Sequence, residues 1–187
     1  MNSSDVNGSD LSGQLLQAGR AVAEYLGSLP PAVYFAGSDE RWSPARHARH
    51  LTLSNRPLIQ ALRLPRLALL AVGGRAENGR VGRGFSTMRE TYLTALKAGA
   101  RASGRFLPTL EGSRNAAGQA AGVAELRESA EGLSAAAARW PDADLDGLTL
   151  PHPVLGRLTL REMLYFAVYH HSHHLEGVRR LLESERA

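Results

Sequence analysis

Cysteine is absent from the 187 residues. That single absence excludes disulfides, thiolate metal ligands and a cysteine nucleophile. A metal site here has to be built from histidine and carboxylates. A cysteine-free chain also agrees with the reducing cytoplasm. Aromatic residues are scarce at 6%, so the core must be mostly Leu, Ala and Val, which suits packed helices better than a β-sandwich. No apolar run approaches the ~18 residues that would span a bilayer; the longest, Leu67 to Val72, is far shorter. The opening MNSSDVNGSD lacks the positive start and apolar stretch of a signal peptide. These features predict a soluble, cytoplasmic protein with a flexible tail at 1–10 and one domain over 11–187. Blocks of Lys or Arg are missing as well. A net charge of +4 and a pI near 9.9 invite a nucleic-acid reading. The basic residues, however, are scattered as singles and pairs, without an RNP motif or zinc-finger spacing, so a solvated surface is the simpler account and nucleic acid is not expected as a partner.

What is present is helical periodicity broken by Gly and Pro. Leu15, Ala18, Val22 and Leu26 recur at i+3/i+4 spacing and predict a first helix from about Leu11 to Leu29, with Gly19 inside it. Ser43-Pro44 opens a second, the serine as cap and the proline at the first helical position. It carries His47, His50, Leu51 and Leu58 towards Leu62, with Pro57 as a candidate kink and Pro65 at its end. The stretch from Ala71 to Phe85, with Gly73, Gly74, Gly79, Gly82 and Gly84, reads as a Gly-rich loop. Its G-R-V-G-R-G run lacks the preceding strand of a phosphate-binding fold. A third helix is expected over about Ser86 to Ala102, capped by Ser86, and an Ala-rich fourth over about Ser113 to Trp140. Pro141 to Gly156 reads as a connector. Thr159-Leu160-Arg161-Glu162 is a capping box that starts the last helix, expected to reach Glu183. The layout is all-α, a helical bundle without a convincing strand.

The seven histidines are clustered: 47 and 50, then 170, 171, 173 and 174, with His152 apart. On a helix His170 and His174 lie one above the other, a spacing that lets two imidazoles share one ion. His171 with His174, or His170 with His173, are alternatives. The apolar stripe Met163, Ala167, His170, His174, Val178 and a rival through Leu164, Ala167, His171, His174 both contain His174; periodicity leaves His170 against His171 open. A third ligand must come from elsewhere, and His47 and His50 offer it. Glu90 and Glu162 are candidate partners for the outer nitrogens of ligand histidines, and His171 and His173 candidate pocket residues.

Three segments carry a resemblance. Trp42-Ser43-Pro44-Ala45-Arg46-His47-Ala48-Arg49-His50-Leu51, His152-Pro153-Val154-Leu155-Gly156-Arg157-Leu158-Thr159-Leu160-Arg161-Glu162 and His170-His171-Ser172-His173-His174 resemble, in that order, the second-helix opening, the lead into the last helix and the closing histidine motif of the DinB/YfiT-like superfamily. The resemblance implies a four-helix bundle, often dimeric, holding a divalent ion, zinc or nickel, with His50, His170 and His174 as ligands. Iron also suits three histidines. It implies a metal-dependent hydrolase or thiol S-transferase acting on a small molecule such as a low-molecular-weight thiol; a stress-associated metal-binding bundle without turnover is the alternative. Two positions depart from the family's pattern: Arg46, where an acidic residue often stands, and Gly177, where a glutamine commonly follows the histidine pair.

Overall fold

A computed structural model of the chain describes residues 10–38, 41–77 and 82–184. Most of the tail expected at 1–10 therefore lies outside the described residues. α1 (Leu11–Gly27) starts at Asp10, whose carboxylate accepts from the Gly13 N–H, and buries Leu11, Leu15, Val22 and Leu26. Gly19 faces α6: a Cβ there would stand 2.2 Å from the Cβ of Ala130, so glycine lets the two helices approach. Pro31 begins the short α2 (Pro31–Phe35). α3 (Pro44–Arg63) opens as expected, with Ser43 accepting from the Arg46 N–H, and runs on through Pro57. Beyond Pro65, α4 (Arg66–Gly73) occupies the start of the stretch read as loop, and Gly74 ends it at φ 83°. Gly79 of that stretch lies outside the described residues. α5 (Phe85–Lys97) starts after Gly84 without a side-chain cap, so Ser86 lies inside the helix and is not its cap. α6 (Ala116–Ala137) is capped by Asn115.

The connector read at 141–156 is structured. α7 (Asp142–Gly147) leads into an antiparallel hairpin of β1 (Thr149–His152) and β2 (Gly156–Thr159), with Thr149 opposite Thr159 and His152 opposite Gly156. The expectation of no strand is thereby corrected. Each strand is only four residues long, too short for alternation to register, and Pro151 and Pro153 hide what pattern there is. Gly156 supplies the turn's positive φ of 73°. At the turn, His152 Nδ1 accepts from the N–H groups of Val154 and Leu155, at 3.2 and 3.1 Å.

α8 (Leu160–Ser184) follows directly and is buried on several faces, because α1, α3 and α5 all pack against it. The long helices α1, α3, α6 and α8 form the bundle, so the fold is all-α with a small hairpin attached. Its core has two apolar halves. One contains Leu15, Leu62, Leu133 and Leu164; the other contains Val22, Leu51, Leu126 and Val178. Between them in sequence, on three different helices, stand the buried Asn55, Ser129 and His171. Asn55 Nδ2 donates to Ser129 Oγ at 3.0 Å and lies 3.3 Å from His171 Nε2.

The capping box at the start of α8 forms in both directions. Glu162 N–H donates to Thr159 Oγ1 at 3.1 Å, and Thr159 N–H donates to Glu162 Oε2 at 2.8 Å. Glu162 is only 1% exposed and also accepts from the backbone and guanidinium of Arg83, at 3.0 and 2.9 Å. Burial alone would raise this carboxyl; the hydrogen bonds from Arg83 and Thr159 outweigh it and hold the group at about 2. Its folded value is thus depressed below its ordinary 4.5, so its contribution to stability is present above that value and is lost as pH falls towards about 2. Glu162→Gln is expected to lower stability at neutral pH by about 1–3 kcal/mol and to flatten the acid limb between those two values. Urea unfolding across a pH series measures both, and an unchanged acid limb in the variant would contradict the assignment.

Candidate metal centre

α8 presents its four clustered histidines in different directions, and His171 decides the azimuth. Its Nδ1 donates to the Ala167 carbonyl at 2.8 Å and its Nε2 faces Asn55, so this ring is committed to the core. With 3.6 residues per turn, His170 and His174 then lie about 100° and about 60° away on the same side of the helix. There they meet His50 from α3. His50 Nε2 stands 3.2 Å from His170 Nε2, and His174 Nε2 stands 3.0 Å from His170 Nε2. The three rings offer nitrogens that all lie within 4.8 Å of one another, and all three residues are buried.

Zinc–nitrogen bonds of about 2.0–2.1 Å put ligand nitrogens about 2.9 Å apart at right angles and about 3.3 Å apart in a tetrahedron. The two separations from His170 fall between these limits and the third pair lies within 4.8 Å, so the donor set is compatible with one small divalent ion. Two of the three rings are also bonded through their outer nitrogens. His50 Nδ1 donates to the Phe106 carbonyl at 2.8 Å, which leaves the Nε2 lone pair facing its two neighbours. His174 Nδ1 meets His47 Nδ1 at 2.7 Å, so a single proton is shared between two rings. Trp42 covers the cluster, its ring centroid 5.1 Å from that of His50 and stacked over His174 at 6.4 Å.

The sequence reading needs correction at the outer partners. Glu90 is exposed, and Glu162 is taken up by the α8 cap and by Arg83. The groups that serve instead are a backbone carbonyl and His47, a histidine that spacing offered as a ligand. No sequence signal marks a carbonyl as a partner, but the three-residue spacing of His47 and His50 does place both rings near one face. Gly177, the departure from the family's glutamine, lies against His47: a Cβ there would touch His47 Cε1 at 3.9 Å. His171, proposed for the pocket, is a core residue. His173 is partly buried, with its ring 5.5 Å from that of Tyr92.

Burial lowers all these imidazoles. His170 and His174 are pushed well below 6.5 by desolvation, reinforced by neighbouring histidines. In His50 burial outweighs the opposing bond to Phe106. His47 falls to about 4 through burial and then through His50 and His173. The rings are therefore neutral at pH 7, the state a metal requires.

His50 and His170 also line a cavity of about 490 Å³. Leu58, Leu96, Leu150 and Phe166 supply apolar walls, the exposed Arg101 and Arg105 stand at its edge, and no acidic side chain among the described residues lines it. His152, lowered to about 4 by burial, lines it too.

This arrangement defines a helical bundle with an inward-facing three-histidine cluster contributed by two helices. The chain belongs to the DinB superfamily, whose family model matches residues 14–178. Neither a curated protein nor a solved structure matches it.

In metal-free protein, the imidazole signals of His47 and His152 are expected to titrate near pH 4 by NMR. The unfolded chain takes up those protons near 6.5, so acidification from 6.5 to 4 destabilises the fold. A midpoint near 6.5 for either ring would contradict its burial.

Proposed function

We propose that the protein is a metal-dependent enzyme in which His50, His170 and His174 hold one divalent ion, zinc or nickel by preference with iron also fitting, and which acts as a hydrolase or thiol S-transferase on a small molecule. The observation that carries this reading is the convergence of three buried histidines, two of which, His50 and His170, line the cavity. Bound there, an ion with an open position would acidify a water or thiol and polarise an acceptor. The chain's own residues hold the reactants. Phe106 fixes the tautomer of His50 through its carbonyl, and His47 orients His174. Three neutral ligands, with no carboxylate among them, leave the ion's charge undiminished. The apolar walls limit water, and the rim arginines favour anionic substrates. A metal-binding protein without turnover would need no such cavity beside the ligands, which is why the enzyme reading is preferred.

His174→Ala is expected to abolish most metal loading, measured by elemental analysis of protein purified without a histidine tag. His173→Ala should load nearly as wild type. His171→Ala should retain the metal but unfold earlier, because it removes a bond of the core. Equal loading in wild type and His174→Ala would sink the assignment.

We also propose that the protein is a homodimer formed through exposed helix faces. Leu67 and Val72 of α4, 75% and 63% exposed, are the most exposed large hydrophobic residues among those described, and a second copy would cover them. Sedimentation is expected to give twice the monomer mass; monomer alone at high protein concentration would count against it.

A further inference from the structure

His152 has a hydrogen-bonding arrangement that its turn alone does not use up. Its Nδ1 accepts from Val154 N–H and Leu155 N–H, so the neutral ring must carry its proton on Nε2. Burial keeps the ring neutral at pH 7. Among the described residues no protein group accepts from that Nε2–H, and no buried side-chain nitrogen or oxygen is left unpaired. The Nε2–H is therefore accessible, and the ring is part of the cavity wall. Phe166 fixes where this donor lies. Its ring centroid is 4.4 Å from that of His152 and 4.9 Å from that of His170, on which it stacks. The two histidines thus flank one phenyl ring along the same wall, one belonging to the proposed metal site and the other a donor beside it. The rest of the wall is mainly apolar, and the charges at the rim are positive.

We propose that His152 is a specificity-determining residue, its Nε2–H donating to an acyl oxygen (amide, ester or carboxylate) on a substrate whose reacting end lies at His50, His170 and His174 and whose apolar body lies along Phe166. This rests on the metal-enzyme reading above. The ligand class is a small molecule with a metal-seeking atom at one end, an apolar middle and an acyl oxygen further along. The simpler role for His152, holding the hairpin turn, needs only Nδ1. The two roles are separable, because Asn Oδ1 can accept the same turn N–H groups while offering nothing at the Nε2 position. Gln does the reverse.

The test uses the full chain loaded with cobalt and titrates it with mercaptoalkanamides of increasing length, each against the alkanethiol of matching length, following the thiolate-to-cobalt charge-transfer band. In wild type one chain length is expected to bind about tenfold tighter as the amide than as the alkanethiol, the worth of one buried hydrogen bond. His152→Asn should erase that preference, read as the ratio of amide to alkanethiol affinity so that any loss common to both ligands from the shortened wall cancels; His152→Gln should retain part of it. An amide preference that is absent at every length, or equal in wild type and His152→Asn, overturns the proposal. Absence of the band with hexanethiol in wild type instead overturns the metal reading beneath it. A measurement free of variants stands beside these: in nitrogen NMR of the zinc-loaded protein, the amide should shift the His152 Nε2–H resonance more than the alkanethiol does, and equal shifts would also overturn the proposal.

Discussion

Asn55 gives its amide protons away inside the bundle, and much of the structure follows from where they go. One partner is Ser129 on α6, which passes its own proton to the Leu126 carbonyl. The other is His171 on α8. Three helices are joined at one level, where an unpaired polar atom would cost about 1–3 kcal/mol. A slide of any helix along its axis, or a rotation about it, would leave such an atom behind. Apolar packing of Leu and Ala tolerates many such slips; this polar layer does not. Gly19 lies at the same level, with His171 Cδ2 3.8 Å from the position of its missing Cβ, so the close approach of α1 and the hydrogen-bonded layer coincide.

The candidate centre is economical in charge. Its outer bonds end on a carbonyl and on another neutral imidazole, and the buried carboxylate of the last helix is paired elsewhere. An ion held this way would keep its full double charge facing a wall that, among the described residues, contains no acid. Chemistry that gathers negative charge at the ion would be favoured by such surroundings, since no described carboxylate lines the cavity to repel it.

How much of this was legible in sequence varies by residue. Ser43-Pro44 and Thr159 with Glu162 mark helix starts through local chemistry, and both caps form. The all-α class follows from periodicity and holds. Spacing offers His47 beside His50 as the third ligand and, because two apolar stripes run through α8, His171 beside His170; the family resemblance is what favours His50 and His170. What separates His170 from His171 in the structure is Asn55, a partner of His171 more than a hundred residues away along the chain and invisible to any local window. The hairpin was missed because its register depends on a turn built from a histidine side chain and a glycine at positive φ. Ser86 was misread as a cap because serine suits that role wherever it stands near a helix start.

The same turn of α8 holds His171 for the core and His170 and His174 for the cluster. One inserted residue between Ala167 and His174 would rotate everything beyond it by about 100°, swinging His174 and the apolar Val178 and Leu182 off their targets together. Centre and scaffold therefore share one reading frame. Point substitutions can erase the centre and leave the bundle standing, whereas a change in the length of this turn removes both at once. Variation in this protein should accordingly accumulate in side chains along α8, with length changes confined to the segments outside it.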